Sequence, residues 1–348
     1  MYGRTRRPWV LLLLLALLIA SCGPGHTPQP AARILPSVPP NAPLSVGDDL
    51  ITPLPGGPAA FAAVESVLQS AARSIDLEMY EFQRPDLAGL MLSAHARGVA
   101  VTGILDPSEG SSQSTWALLA QAGIRLVAFP VEPLTIDHVK LLIVDGRRAV
   151  LGGINWGRHS VENRDYDVLV TGPAVRNLTR IFEQDLELAG NPTPVASTVA
   201  DPLIQVLVTR PGDAIRGAAV SAIDSAQRTI DIEMFVLSDR IVIDALLAAA
   251  RRGVQVRVLL EPTQPQNLAA LAELRSAGAR AQLFKPARGE LLHAKLAIID
   301  AVAVLFGSCN WSRSGFTRNH ELDLLIRDAT VARVFLDRLQ VDWSGSAN

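Results

Sequence analysis

Lysine is nearly absent from this chain. Of 32 basic residues among 348, three are lysines, at positions 140, 285 and 295, and the other 29 are arginines. Cysteine is scarcer still, with Cys22 and Cys309 alone, which excludes a disulfide scaffold as the source of stability. The apolar run from Trp9 to Ala20 is too short to cross roughly 30 Å of hydrocarbon, so it does not read as a membrane span. Aromatic residues make up 5% and charged residues 19%, against 49% hydrophobic. That balance excludes a solvated, disordered chain and leaves enough apolar material for two domain-sized cores.

Arg4, Arg6 and Arg7 precede the short apolar run, the layout of a signal peptide over residues 1–21. The run closes on Ile19-Ala20-Ser21-Cys22-Gly23, which resembles a bacterial lipobox. That resemblance implies that Cys22 becomes the lipidated N-terminus of an exported protein anchored to a bacterial membrane, with the leaflet open. The alternative is an ordinary secretory signal with an incidental cysteine. More than one acyl chain gives stable attachment, at about 0.8 kcal/mol per buried methylene. Removing residues 1–21 takes away three arginines and no acid, moving the formal charge from −2 to −2 − 3 = −5. A net acidic chain is a poor match for long nucleic acid tracts. Residues 22–44 are rich in Pro and Ala without an apolar period, and read as an extended tether.

Beyond the tether the chain is one unit written twice, expected at 45–190 and 201–348 with a linker over 191–200. Ile75-Asp76-Leu77-Glu78-Met79-Tyr80 returns as Ile230-Asp231-Ile232-Glu233-Met234-Phe235, an offset of 155. The same offset relates Gly98 to Gly253, His138 to His293, Lys140 to Lys295, Asp145 to Asp300 and Asn155-Trp156 to Asn310-Trp311. Within the first unit, helical spacing over 59–72, 87–97, 113–122 and 175–188 alternates with strand patterns over 75–80, 99–105, 125–129, 140–144 and 149–151. The expected fold class is therefore α/β, as two tandem units of sheet flanked by helices. Because two matching halves complete one another, a monomer is expected.

Each half carries His-x-Lys followed by four residues and Asp: His138, Lys140, Asp145 and His293, Lys295, Asp300. In an extended strand, residues two apart face the same way, so histidine and lysine address one ligand. In a chain that otherwise uses arginine, two lysines at equivalent repeat positions mark a requirement for a compact ammonium. Seventeen residues after each histidine comes a Gly-rich turn with asparagine, Gly152-Gly153-Ile154-Asn155 and Gly307-Ser308-Cys309-Asn310. Asn163-Arg164-Asp165 and Asn319-His320-Glu321 then place a carboxylate 27 or 28 residues after each histidine.

These motifs, present twice, resemble the signature of the phospholipase D superfamily, and the likeness covers nearly all of the chain from about residue 45. The resemblance implies two sandwich-like units about a pseudo-twofold axis, with both histidines at the interface, and a covalent phosphohistidine mechanism with no cofactor and no metal. The residue types suit that chemistry. A phosphodiester anion repels nucleophiles, so Lys140, Lys295, Asn155 and Asn310 would surround its equatorial oxygens. By analogy, His138 is the nucleophile and His293 the general acid, with the reverse left open by the symmetry. Asp165 and Glu321 would hold the Nδ1 hydrogens. A catalytic metal fits poorly, since each lysine would stand beside it and zinc ligand spacings are absent.

The remaining candidates read as structural or supporting. Asp145 and Asp300 end apolar strands, where turn capping explains them. Glu78 and Glu233 approach the pocket or form sheet-end ion pairs; Trp156 and Trp311 pack in the core or line the cleft; Cys309 is a small buried residue. His159 and His320 are expected in surface loops, and His26 and His95 are expected to be uninvolved. Gly153, where the second half has Ser308, leaves the first half short of one hydroxyl donor. The substrate expected is a phospholipid at a membrane surface, cleaved or transferred. The alternative is a nuclease acting on DNA or RNA, with cardiolipin synthase-type transfer and an inactive scaffold ranked lower.

Overall fold

A computed structural model describes residues 41–348 except 192–193, 196, 198–199, 211, 287–288 and 347–348. The signal peptide, Cys22, His26 and most of the tether lie outside the described residues. In chain order the first half contributes β1 (Leu44–Val46), β2 (Asp49–Pro55), α1 (Gly57–Gln69), β3 (Ser74–Met79), α2 (Pro85–Ala96), β4 (Ala100–Leu105), α3 (Gln113–Gln121), β5 (Arg125–Ala128), β6 (Lys140–Val144), β7 (Arg148–Gly152), β8 (Tyr166–Thr171) and α4 (Val175–Leu188). The second half follows with β9 (Ile204–Val208), α5 (Ala214–Ser225), β10 (Thr229–Met234), α6 (Arg240–Arg251), β11 (Gln255–Leu260), α7 (Asn267–Ser276), β12 (Arg280–Leu283), β13 (Lys295–Ile299), β14 (Ala303–Gly307), α8 (Arg313–Thr317), β15 (Leu322–Ile326) and α9 (Ala329–Gly345).

The strands form two sheets, β1-β2-β8-β7-β6-β3-β4-β5 and β12-β11-β10-β13-β14-β15-β9. Without β1, the orders coincide strand for strand, so the duplication seen in sequence is a duplication of topology. Crossover helices α2 and α3 make β3, β4 and β5 parallel, while the tight turn at 145–147 makes β6 and β7 antiparallel.

Alternation along β6 and β13 sets the layers. Leu141 and Ile143, with Leu296 and Ile298, face a shared core between the sheets that also holds Phe182 of α4 and Phe335 of α9. Leu142 and Val144 point the other way, into a core under α1 and α2; Ala297 and Ile299 point under α5 and α6. Helix α4 buries Leu178, Ile181, Phe182 and Asp185, an i, i+3, i+4, i+7 stripe that carries one carboxylate inward with the apolar residues. Among the described residues no helix is long and apolar enough to cross a membrane.

Candidate active site

Both His-x-Lys pairs occupy the same position in their sheets. His138 precedes β6, which begins at Lys140, and His293 precedes β13, which begins at Lys295. Each lysine ammonium donates to the carbonyl of its own histidine. The adjacent strands β3 and β10 run on into Tyr80 and Phe235, whose N–H groups donate to Val139 and Ala294. Their rings therefore wall the site: Tyr80 meets His138 edge-on at 5.1 Å, and Phe235 lies 5.0 Å from His293. Each lysine also rests over its aromatic neighbour, at 5.2 and 5.4 Å.

The carboxylate contacts exchange between halves. His138 Nδ1 lies 2.8 Å from Glu321 Oε2, and His293 Nδ1 lies 2.9 Å from Asp165 Oδ1. The backbone builds this exchange, because His138 N–H donates to the His320 carbonyl and His320 N–H to that of Ile136, both at 2.8 Å. At the matching place, Arg164 N–H donates to Leu291 at 2.8 Å. The carboxylate that follows each histidine in sequence thus serves the histidine of the other half, and neither half alone has the complete set.

Burial governs the electrostatics. It pushes His138 down to about 4, with Lys140 and Lys295 acting the same way against Glu321. His293 is pushed down by burial and by Lys295, against Asp165. Burial also lowers Lys140 to about 7 and Lys295 to about 8. For Glu321 and Asp165, burial acts upward but the facing imidazoles and lysines outweigh it, holding both below the usual carboxylate range. Lys140 is influenced by Lys295, and both lysines by Glu321 and Asp165, so the halves act as one electrostatic unit. Burial thus favours the uncharged imidazole on both sides, and a phosphodiester anion entering the site favours protonation of one of them.

The Gly-rich turns are shaped by the strands behind them. A Cβ at Gly152 would lie 2.4 Å from the Tyr166 carbonyl, and one at Gly307 would lie 2.4 Å from that of Leu322, so only glycine fits against β8 and β15. Asp167 and Asp323 then accept from Ile154 N–H (3.3 Å) and Cys309 N–H (3.0 Å) and set the course of each turn toward Asn155 and Asn310. Both asparagine amide oxygens are buried without a partner.

Ser308 stands behind Glu321. Its hydroxyl donates to Glu321 Oε2 at 2.6 Å, and Asn319 Nδ2 donates to Glu321 Oε1 at 3.0 Å; Ser308 is a support for the carboxylate. At Gly153 a Cβ would stand 2.6 Å from Asp165 Oδ1, so Asp165 fills the space that the serine occupies in the second half.

Asp145 and Asp300 lie at the far ends of β6 and β13, about 17 Å of strand from the lysines. Asp145 accepts from the N–H groups of Ala72, Arg73 and Ser74, and Asp300 from those of Gln227, Arg228 and Thr229. They fasten the loops that lead into β3 and β10. Trp156 and Trp311 are fully packed, Cys309 is buried, and His159 is exposed. His320 corrects the expectation of a surface loop: it is 1% exposed, stacked on Phe129 at 4.7 Å and 3.0 Å from Asp185. Its position next to Glu321 carries it inside, because the β-bridge between Asp137 and His320 pins that segment between the halves. Tyr80, Phe235, Asp167 and Asp323 were not singled out from sequence, although all four sit at corresponding repeat positions.

A family model described as "Cardiolipin synthase, PLD-like domain" matches residues 64–186 and again 219–343. The chain belongs to this phospholipase D-like family. It is 28% identical over 321 residues to cardiolipin synthase A of Pseudomonas entomophila (strain L48), covering 82% of this chain and 65% of that protein. It is 25% identical over 337 residues to the probable cardiolipin synthase of Bacillus subtilis (strain 168), covering 84% and 66%. The chain thus spans about two thirds of the length of these relatives. The phosphatidylserine synthase of Haemophilus influenzae Rd KW20 superposes with a TM-score of 0.65 at 12% identity, over 88% of this chain and 89% of that one, which shows a shared phospholipase D fold.

Proposed function

We propose that this protein transfers a phosphatidyl group from a phospholipid to an alcohol, in the manner of a cardiolipin synthase, through a covalent phosphohistidine. The observation that carries the reading is the exchanged pairing of His138 with Glu321 and His293 with Asp165. His138, neutral and with its Nδ1 proton held by Glu321, attacks phosphorus through Nε2. An N–P bond forms, the P–O bond to the head-group alcohol breaks, and that oxygen takes a proton from Nε2 of His293, which enters the step as the imidazolium that the bound anion favours. The acceptor alcohol then gives its proton to His293 Nε2, its oxygen bonds to phosphorus, and the N–P bond breaks to release His138. Lys140, Lys295, Asn155 and Asn310 hold the non-bridging oxygens. Water in place of the alcohol gives hydrolysis from the same intermediate.

Two features favour transfer of lipid over cleavage of nucleic acid. His138 and His293 are 6% and 8% exposed, so an intermediate formed there is shielded from bulk water. On the Tyr80 side the half-buried Glu81 and Glu109 stand near the site, and such acids disfavour a polyanion. The family relatives raise cardiolipin synthase-type transfer above the lower rank it takes from sequence alone. Cys22 lipidation and membrane anchoring are proposed on the lipobox-like segment.

The test is to incubate the chain in mixed micelles with labelled phosphatidylglycerol, labelled phosphatidylcholine or single-stranded DNA. A diphosphatidyl product with release of glycerol is expected. DNA cleavage without lipid turnover would replace the reading with a nuclease.

A further inference from the structure

Beneath the Tyr80 side of the site lies a second cluster, which the proposed chemistry does not use. Glu78 of β3, Asp185 of α4 and His320 are at most 1% exposed, and their donor atoms fall within 4.8 Å of one another. His320 Nε2 stands 3.0 Å from Asp185 Oδ2 and 3.8 Å from Glu78 Oε1. Neither oxygen of Glu78 has a hydrogen-bond partner, nor do His320 Nδ1 and the nearby Asp137 Oδ2; Asp185 Oδ2 and His320 Nε2 have none beyond their approach to each other. Burying carboxylates this way costs several kcal/mol unless a cation or proton balances them.

The second half shows how the same position is balanced there. Glu233 corresponds to Glu78, Asp342 of α9 corresponds to Asp185, and Arg164 corresponds to His320, each being the residue before the carboxylate that serves the other half's histidine. Glu233 accepts from the Tyr166 hydroxyl at 2.8 Å, and Asp342 faces Arg338 at 3.0 Å and Arg164 at 3.7 Å. Among the described residues no arginine or lysine pairs with Glu78 or Asp185. The first half has the acids without the guanidinium groups.

The geometry points to a divalent metal ion, Zn²⁺ or Mn²⁺, bound by Glu78, Asp185 and His320 as a structural link between the halves. Ligands about 2.1 Å from one ion stand about 3–4 Å apart, close to the separations found here, and an imidazole nitrogen with carboxylate oxygens suits these ions better than Ca²⁺ or Mg²⁺. Two ligands come from the first half and one from the second, and His320 adjoins Glu321, so the ion would fix the segment that orients His138. The ion takes no part in the transfer chemistry, and its presence does not depend on the substrate proposed above.

Elemental analysis of the full chain, purified without a metal-affinity step, tests this. About one equivalent of zinc or manganese per chain is expected. Stripping it with chelator lowers Tm by several degrees, and adding back Zn²⁺ or Mn²⁺, but not Mg²⁺, restores it. Glu78→Gln and Asp185→Asn lose the ion, whereas Asp342→Asn and His293→Ala keep it. Less than a tenth of an equivalent in the wild type, with no response of Tm to either ion, would overturn the inference. So would retention of the ion by folded Glu78→Gln and Asp185→Asn. If those variants do not fold, loss of the ion from His293→Ala would place it at the catalytic histidines and overturn the inference equally.

Discussion

The two halves carry the same strand order and the same His-x-Lys pair, yet they surround that pair differently. Glu321 receives hydrogen bonds from Ser308 and Asn319 as well as facing His138. Asp165 faces His293 through both oxygens, at 2.9 and 3.2 Å, with glycine where the serine would be. His138 stands beside a tyrosine and His293 beside a phenylalanine; behind them the buried acids meet a histidine in one half and arginines in the other. Duplication supplied matching reactive groups, and the later differences lie in the groups that support them. Two imidazoles that begin equivalent can therefore hold different proton affinities and divide a two-step reaction.

Removing either imidazole should have the largest effect. His138→Ala and His293→Ala are each expected to lower turnover by at least about 10³-fold, and the double variant to be no worse than the singles, because the groups act as a unit. Steady-state rates on a fluorescent phosphodiester would show this, and full activity in either single variant would break the shared site. Next come the orienting carboxylates: Glu321→Gln and Asp165→Asn should each cost about 10²-fold. Ser308→Ala should cost less, since Glu321 keeps Asn319, while Gly153→Ser should harm the first half by crowding Asp165.

The pH profile sharpens the comparison further. Lys295, lowered by burial to about 8, carries its charge below that value and loses it above. Lys140, lowered to about 7, discharges first, so kcat/KM is expected to fall in two stages as pH rises through about 7 and then about 8, and Lys295→Arg should remove the upper stage while lowering the rate. Smallest in effect on turnover, Asp145→Asn and Asp300→Asn should leave the rate per folded molecule nearly unchanged. Each should lower unfolding free energy by about 1–3 kcal/mol, read by urea titration, because backbone N–H groups lose a charged acceptor.

Much of this architecture was legible because the repeat keeps a constant offset. Helices such as 175–188 and strands such as 140–144 follow from periodicity alone. Strands β2 and β9 were not, since β2 contains Pro53 and Pro55 and lies where the halves are least alike. The candidate site residues could be named from their types and spacing, but their pairing could not. Sequence order associates Asp165 with His138, whereas the contact is made by a chain segment 128 residues from its partner, a matter of how two sheets face each other. His320 was misplaced for the same reason: its burial follows from the bridge to Asp137, and nothing in its own neighbourhood encodes that.

The account rests on each histidine being governed by the opposite half. Imidazole ¹⁵N NMR of Glu321→Gln tests this most directly. The signals of His138 should move, with its Nδ1 proton less firmly held and its proton affinity lower still, while those of His293 stay near their wild-type values. Movement of His293 with His138 unchanged would contradict it.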